Sequence, residues 1–282
     1  MSGVRAWPKN LGCGSMDGTA VNYRPFHFIV LYFLLTWIPL WTAVAARRTE
    51  SPVLFGISFI LAGSGAVGSA LILVYATGDR SFITDFWDRA YNFRRIQPLW
   101  WPVILFGIPV SAMAGMAFSI LTGGSSGWFA LDENFLERPL VFVFWLLIFG
   151  PLPEELAWRG YGLDSLRSRF SGLVAGLVAG ALWSLWHVPL VFMAGSYQNE
   201  LLEDIAALAS YFFAMLPETL LIMWVYYNNK RSTLAAILLH FSANFAGEAL
   251  QLEQSAKIIQ TLILTACAVT VVCVDRKTFG RA

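Results

Sequence analysis

The sequence predicts an all-α, polytopic membrane bundle of about eight transmembrane helices, and three observations predict it. Apolar residues make up 57% of the 282 and charged residues only 13%, a balance from which no water-soluble surface can be built. The apolar residues gather into eight runs bounded by charge, most of them about 20 residues long, which is the length that crosses a bilayer's hydrocarbon core. Lysine and arginine are also uneven: fifteen fall on the side holding the N-terminus, the C-terminus and the loops after the second, fourth and sixth runs, against four on the other. The positive-inside rule then places both termini in the cytoplasm, and the even number of crossings follows.

The first run, 26–46, has a passable small-residue cleavage site at Ala43-Val44-Ala45. Its apolar core is too long for a signal peptide and Arg47-Arg48 follow directly, so it reads as a retained span. His27 sits where this run meets the headgroups and reads as an interfacial residue. The second and third runs are 53–77 and 100–121. Between them, 82–101 mixes arginine with aromatics and ends in Trp100-Trp101, which suits an interfacial helix as well as a polar loop with an aromatic anchor. The fourth to eighth runs are 140–159, 173–194, 205–227, 233–250 and 258–274, the last being the shortest. The gaps are too short for a separate soluble domain. The expected organisation is a cytoplasmic segment 1–25, one membrane domain 26–274 and a cytoplasmic tail 275–282.

Composition excludes other classes. Net charge is +1, and the charge-rich stretch 79–95 mixes both signs instead of forming a basic face, so nucleic acid is not an expected partner. Cys13, Cys267 and Cys273 are odd in number and scattered, which supports neither a disulfide framework nor a zinc spacing.

Ionisable groups within a span are expensive and point to function. The fourth run ends in PLPEELAWR (151–159), the fifth carries Ser184-Leu185-Trp186-His187-Val188-Pro189, the sixth Pro217-Glu218, and the seventh His240-Phe241-Ser242-Ala243-Asn244. Glu155 and Arg159 are four apart on a helix and can pair, while Glu154 points about 100° away and is left available. His240 and Asn244 share a helix face and can aim two donors at one point. The prolines at 151, 153, 189 and 217 bend these helices and open cavities to water. No serine or cysteine has the spacing of an activated nucleophile. The set therefore suits attack by water, with Glu154 as base, His187 orienting the water, and His240 and Asn244 holding the oxyanion. Counted along straight helices, these groups fall at depths from about 9 to about 20 Å, which do not coincide. Glu218 either faces the cavity or caps a proline kink.

EExxxR (Glu154, Glu155, Arg159), aromatic-xxx-His (Trp183, His187) and HxxxN (His240, Asn244), in this order on successive spans, resemble the motifs of the CAAX protease and bacteriocin-processing family of intramembrane endopeptidases. The resemblance covers roughly 140–250. It implies an eight-helix bundle with a cytoplasm-facing cavity, Glu154 as catalytic base, His187 positioning water, His240 and Asn244 stabilising the oxyanion, and Glu155 with Arg159 as a supporting pair. Trp183 departs from the family's usual phenylalanine and is expected to line the same wall. Expected partners are membrane lipids and a membrane-associated polypeptide, either prenylated or a peptide precursor. Two other readings stay open. A zinc peptidase would use Glu154, His187 and His240 as ligands, without an HExxH motif. A non-catalytic bacteriocin-immunity factor, or a proton-coupled transporter, would use Glu154 and Glu218 for binding.

Overall fold

The computed structural model describes residues 22–123 and 131–280. Cys13, most of the 1–25 segment and residues 281–282 lie outside the described residues. Within them the chain is helical, with one isolated backbone bridge, Leu131 to Leu250, and no strand.

Helices α1 (Pro25–Arg48) and α2 (Pro52–Tyr75) pair closely. Each starts on a proline, whose missing N–H costs nothing in a first turn. The buried face of α2 is made of small residues, Ala62, Gly65, Ala66, Ser69 and Ala70, and a Cβ on Gly65 would collide with the Leu35 carbonyl of α1. Such faces let backbones approach where no hydrophobic effect drives association. The segment 82–101 is helical: α3 (Arg80–Tyr91), N-capped by Asp79, precedes two 3₁₀ turns, Phe93–Arg95 and Pro98–Trp100. Next come α4 (Trp101–Leu121) and the short α5 (Glu133–Glu137).

The fourth span is broken into α6 (Pro139–Phe149), α7 (Pro151–Ala157), a π-helical turn over Trp158–Gly162, and α8 (Leu163–Arg167). It therefore outlasts the expected end at 159, because Arg159 and Asp164 find partners within the protein. The fifth span is α9 (Gly172–Trp186) with α10 (Val188–Val191), followed by α11 (Tyr197–Glu200). The rest are α12 (Ile205–Asn228), α13 (Thr233–Ala249), α14 (Gln254–Val274) and the terminal turn α15 (Arg276–Phe279). Among the described residues seven spans are long and apolar enough to cross a membrane. Helix α13, which carries the seventh apolar run, has only 17 residues and is not one of them, so seven such spans stand against the eight expected. Helix α12 packs on α9, α13 and α14, while α4 packs on α13 and α14.

The connections sort to two ends, as alternate crossing requires. At one end Arg24 N donates to Tyr161 Oη, Gly172 N to Gly280 O, and Arg95 to the Lys230 carbonyl. At the other, Arg47 donates to Ala194 O and Asp132 N to Ala249 O.

The first of these ends is closed by a buried ionic cluster. Arg89 of α3 is 0% exposed. It donates to the carbonyls of Arg159 and Gly160 at 3.2 and 2.9 Å and to Tyr226 Oη at 2.7 Å, and pairs with Asp85 at 2.9 Å. Asp164 accepts from Tyr226, Tyr227 and Arg231. The widened π turn leaves carbonyls without their usual helical donors, and the guanidinium satisfies them. Arg89 and Arg159, two of the fifteen basic residues expected on the cytoplasmic side, are interior; thirteen remain against four.

Single cysteines placed at the exposed positions 94 and 169 are expected to label from one side of the membrane, and those at 200 and 251 from the other. Arg89→Met should lower thermal stability sharply, on the order of 3–5 kcal/mol, because it strands buried acceptors and a carboxylate; detergent-solubilised unfolding curves measure it.

Candidate active site

Local sequence sets each functional side chain. Proline at 151 disfavours helical backbone at the preceding residue, so the fourth span breaks at Gly150, where φ is −127° and ψ −102°. Glu154 then falls in the first turn of α7, and Glu155 faces the interior beside it. The fifth span breaks at His187, with Pro189 just beyond, and this sets the imidazole between α9 and α10. A Cβ on Gly150 would stand 3.1 Å from the Asn244 side-chain nitrogen, so glycine leaves room for α13 to present Asn244 at the break.

Glu154, Trp183, His187, Glu218, His240 and Asn244 all line one cavity of about 480 Å³. The differing depths along straight helices do not keep them apart, because the spans carrying Glu154 and His187 are broken where those residues lie. Glu218 faces the cavity, which decides between its two readings. His27 is exposed near the start of α1 and lies outside the lining.

Hydrogen bonds orient the set. Trp183 Nε1 donates to Glu154 Oε2 at 2.7 Å, so the tryptophan does more than line a wall: it holds one oxygen of the carboxylate and leaves the other for the cavity. His187 Nδ1 lies 2.9 Å from the Trp183 carbonyl. A carbonyl only accepts, so Nδ1 carries the proton and Nε2 of a neutral ring keeps a lone pair for a water molecule. His240 Nδ1 contacts Glu155 Oε1 at 2.8 Å, and Arg159 donates to the same oxygen at 2.9 Å. Arg159 also reaches the Thr219 carbonyl of α12 at 3.3 Å. The expected Glu155–Arg159 pair is thus present. Its extension to His240, which no local spacing reveals because the residues are 85 positions apart, ties the fourth span to the seventh.

Among the described residues the cavity lining runs toward one end of the bundle. It continues through Tyr211 to Tyr197, Gln198, Gln254 and Lys257, which belong to the end opposite residues 22–24 and 276–280. The cavity lining and residues 22–24 and 276–280 thus lie toward opposite ends, whereas the sequence expectation put cavity and termini on one side. Lys257, Tyr197 and Tyr211 belong to no local motif, and only the folding of α14 and α11 against α12 brings them to the cavity.

Serine catalysis lacks its geometry here. Among the described lining residues the serine is Ser210, which donates to Thr261 at 3.3 Å and not to a histidine. For the zinc reading, no three His, Cys, Asp or Glu side chains among the described residues come together as a ligand set.

Glu155→Ala should be destabilising, because it leaves the buried Arg159 uncompensated and frees His240. A fall of roughly 3–5 kcal/mol is expected for breaking a buried pair, read as a lowered melting temperature, whereas Glu154→Gln should melt near the unaltered protein.

Residues 136–246, which contain Glu154, His187, His240 and Asn244, match the family model described as type II CAAX prenyl endopeptidase Rce1-like. Over 266 residues the chain is 32% identical to CAAX prenyl protease 2 of Methanococcus maripaludis, an alignment covering 93% of this chain and 97% of that protein. With its apolar spans, this similarity marks an integral, multi-pass membrane protein. An alignment that runs nearly end to end over both proteins, with the cavity-lining acid, histidines and asparagine inside the matched region, means that the chain belongs to the Rce1-like family of type II CAAX prenyl endopeptidases.

Proposed function

We propose that the protein is an intramembrane endopeptidase that hydrolyses a peptide bond near the C-terminus of a prenylated polypeptide, using water activated by Glu154. The observation that carries this reading is the pair of fixed orientations around one cavity: Glu154 held by Trp183 Nε1 at 2.7 Å, and His187 held with its free nitrogen available by the Trp183 carbonyl at 2.9 Å. One tryptophan thereby aligns a proton acceptor and a water acceptor toward the same space.

In this mechanism a water molecule donates one hydrogen bond to His187 Nε2 and the other to the open oxygen of Glu154. Glu154 takes the proton as the water oxygen bonds to the scissile carbonyl carbon. The resulting oxyanion is held by the Asn244 amide and by His240. With Nδ1–H committed to Glu155, His240 donates from Nε2 only as the imidazolium. Collapse breaks the C–N bond, and Glu154 returns the proton to the leaving amine. Water and peptide are consumed, two shorter peptides with a new carboxyl and a new amine are released, and the enzyme is restored. Glu155 and Arg159 hold His240 and touch no reacting atom.

The substrate follows from the family and the setting. A CAAX motif carries its lipid on the cysteine, three residues from the chain end. An apolar bundle with a water-accessible cavity at mid-depth can accept the lipid from the bilayer while the peptide enters the cavity. Substrate approaches from the end bearing residues 197–198 and 254–257.

Glu154→Gln should abolish turnover of a fluorogenic prenylated peptide while the protein stays monodisperse. Asn244→Ala should lower kcat by about 10²- to 10³-fold with little change in KM, as for loss of one oxyanion donor. A folded Asn244→Ala protein turning over at the unaltered rate rules out the oxyanion role.

A further inference from the structure

The charges lining the cavity are lopsided. Three carboxylates, Glu154, Glu218 and Glu248, face one lysine, Lys257, among the described lining residues. Glu154 and Glu218 sit at the inner end with the catalytic histidines, and Lys257 sits at the outer end on the first turn of α14. An anion entering this cavity has one cation outside the catalytic floor on which to settle.

Lys257 is aimed for such a role. A lysine one turn into a membrane helix normally snorkels outward to the headgroups. Here the ammonium is folded over the Tyr197 ring, 4.3 Å from its centroid, and donates to the Tyr197 hydroxyl at 3.1 Å. Tyr197 is itself held by Gln254, with its hydroxyl donating at 3.2 Å. The groups touching the ammonium are neutral, and it keeps donors for a further ligand; Glu248 of α13 is the carboxylate within electrostatic reach of it.

The spacing suits a short peptide. From the Tyr197 ring the Tyr211 ring is 5.8 Å away, and from Tyr211 the His187 ring is 5.7 Å. These steps cap the separation of the ammonium and the His187 ring at about 16 Å. Three extended residues span roughly 10 Å.

We propose that Lys257, braced by Tyr197, is the specificity residue that binds the free C-terminal carboxylate of the substrate and so sets which peptide bond meets Glu154. This rests on the endopeptidase reading above and adds a carboxylate subsite to it. Anchoring the chain end makes the enzyme count residues from the C-terminus: a segment of fixed length bridges Lys257 and the catalytic water, and the leaving tripeptide carries the anchored carboxylate away.

The test compares a farnesylated peptide ending in Cys-Val-Ile-Ser as the free acid with the same peptide as the C-terminal amide. Hydrolysis by the unaltered protein and by Lys257→Gln and Lys257→Arg is measured in detergent, and binding is measured on Glu154→Gln. The unaltered enzyme should favour the acid by about tenfold in KM, the range of one charge-assisted hydrogen bond. In Lys257→Gln the acid-to-amide ratio should fall to about one, and Lys257→Arg should restore part of it. Equal hydrolysis of acid and amide by the unaltered protein overturns the subsite, needs no variant, and leaves the endopeptidase reading standing. An equal effect of Lys257→Gln on both peptides also overturns it and assigns the lysine to a lipid phosphate instead. Preferential binding of the acid to Glu154→Gln, with hydrolysis of neither peptide by the unaltered protein, supports the subsite and removes the endopeptidase reading.

Discussion

Glu155 carries a buried negative charge shared by Arg159 on its own span and His240 on the seventh, at 2.9 and 2.8 Å. In hydrocarbon none of the three could be left alone, since an unpaired buried ion costs several kcal/mol even after relaxation. Pairing them fixes how the fourth span sits against the seventh, and Arg159's bond to the Thr219 carbonyl extends the constraint to the sixth. The cavity is the space enclosed by spans held this way. Its two neighbouring glutamates have separate tasks for a geometric reason: consecutive helical positions diverge by about 100°, so one faces the protein and the other the cavity.

The two ends of the bundle solve opposite problems. One end is sealed by Arg89, Asp164, Arg231 and two tyrosines, with the arginine satisfying carbonyls of the π turn at Arg159 and Gly160. That turn begins three residues beyond Glu155, so the cluster holds the stretch of chain that sets the Glu155 and Arg159 side chains. Toward the other end the cavity is lined by polar and aromatic side chains from α11, α12 and α14. In the proposed mechanism water and peptide reach mid-depth from that side. This polarity suits hydrolysis in a membrane, where an open path on both sides would leak.

Tryptophan at 183 links the chemistry to the scaffold. Its side chain donates to Glu154 and its carbonyl accepts from His187, so one residue on α9 orients both polar groups that the proposed mechanism assigns to water. A phenylalanine in its place could fill the wall but could not donate. In this protein the carboxylate's orientation is therefore set by a hydrogen bond as well as by packing.

The sequence by itself determined the all-α membrane class, the sorting of connections to two ends and the motif residues, since all of these follow from local periodicity, run length and the cost of charge in hydrocarbon. The Glu155–Arg159 pair was legible for the same reason: helical spacing alone brings residues four apart into contact. The bond from Glu155 to His240 was not, nor was the bond from Trp183 to Glu154, because each joins residues far apart in sequence whose meeting depends on helix packing. The tertiary structure alone also showed that Arg89 is interior, although in the sequence it counts as a loop charge like any other, because its partners include groups of the fourth and sixth spans. It decided as well that the cavity mouth and residues 22–24 and 276–280 face opposite ends, and that Lys257 meets Tyr197 there. Depth along a straight helix cannot foresee those outcomes, since breaks at Gly150 and His187 redirect the chain and only the packed bundle determines which end is left open.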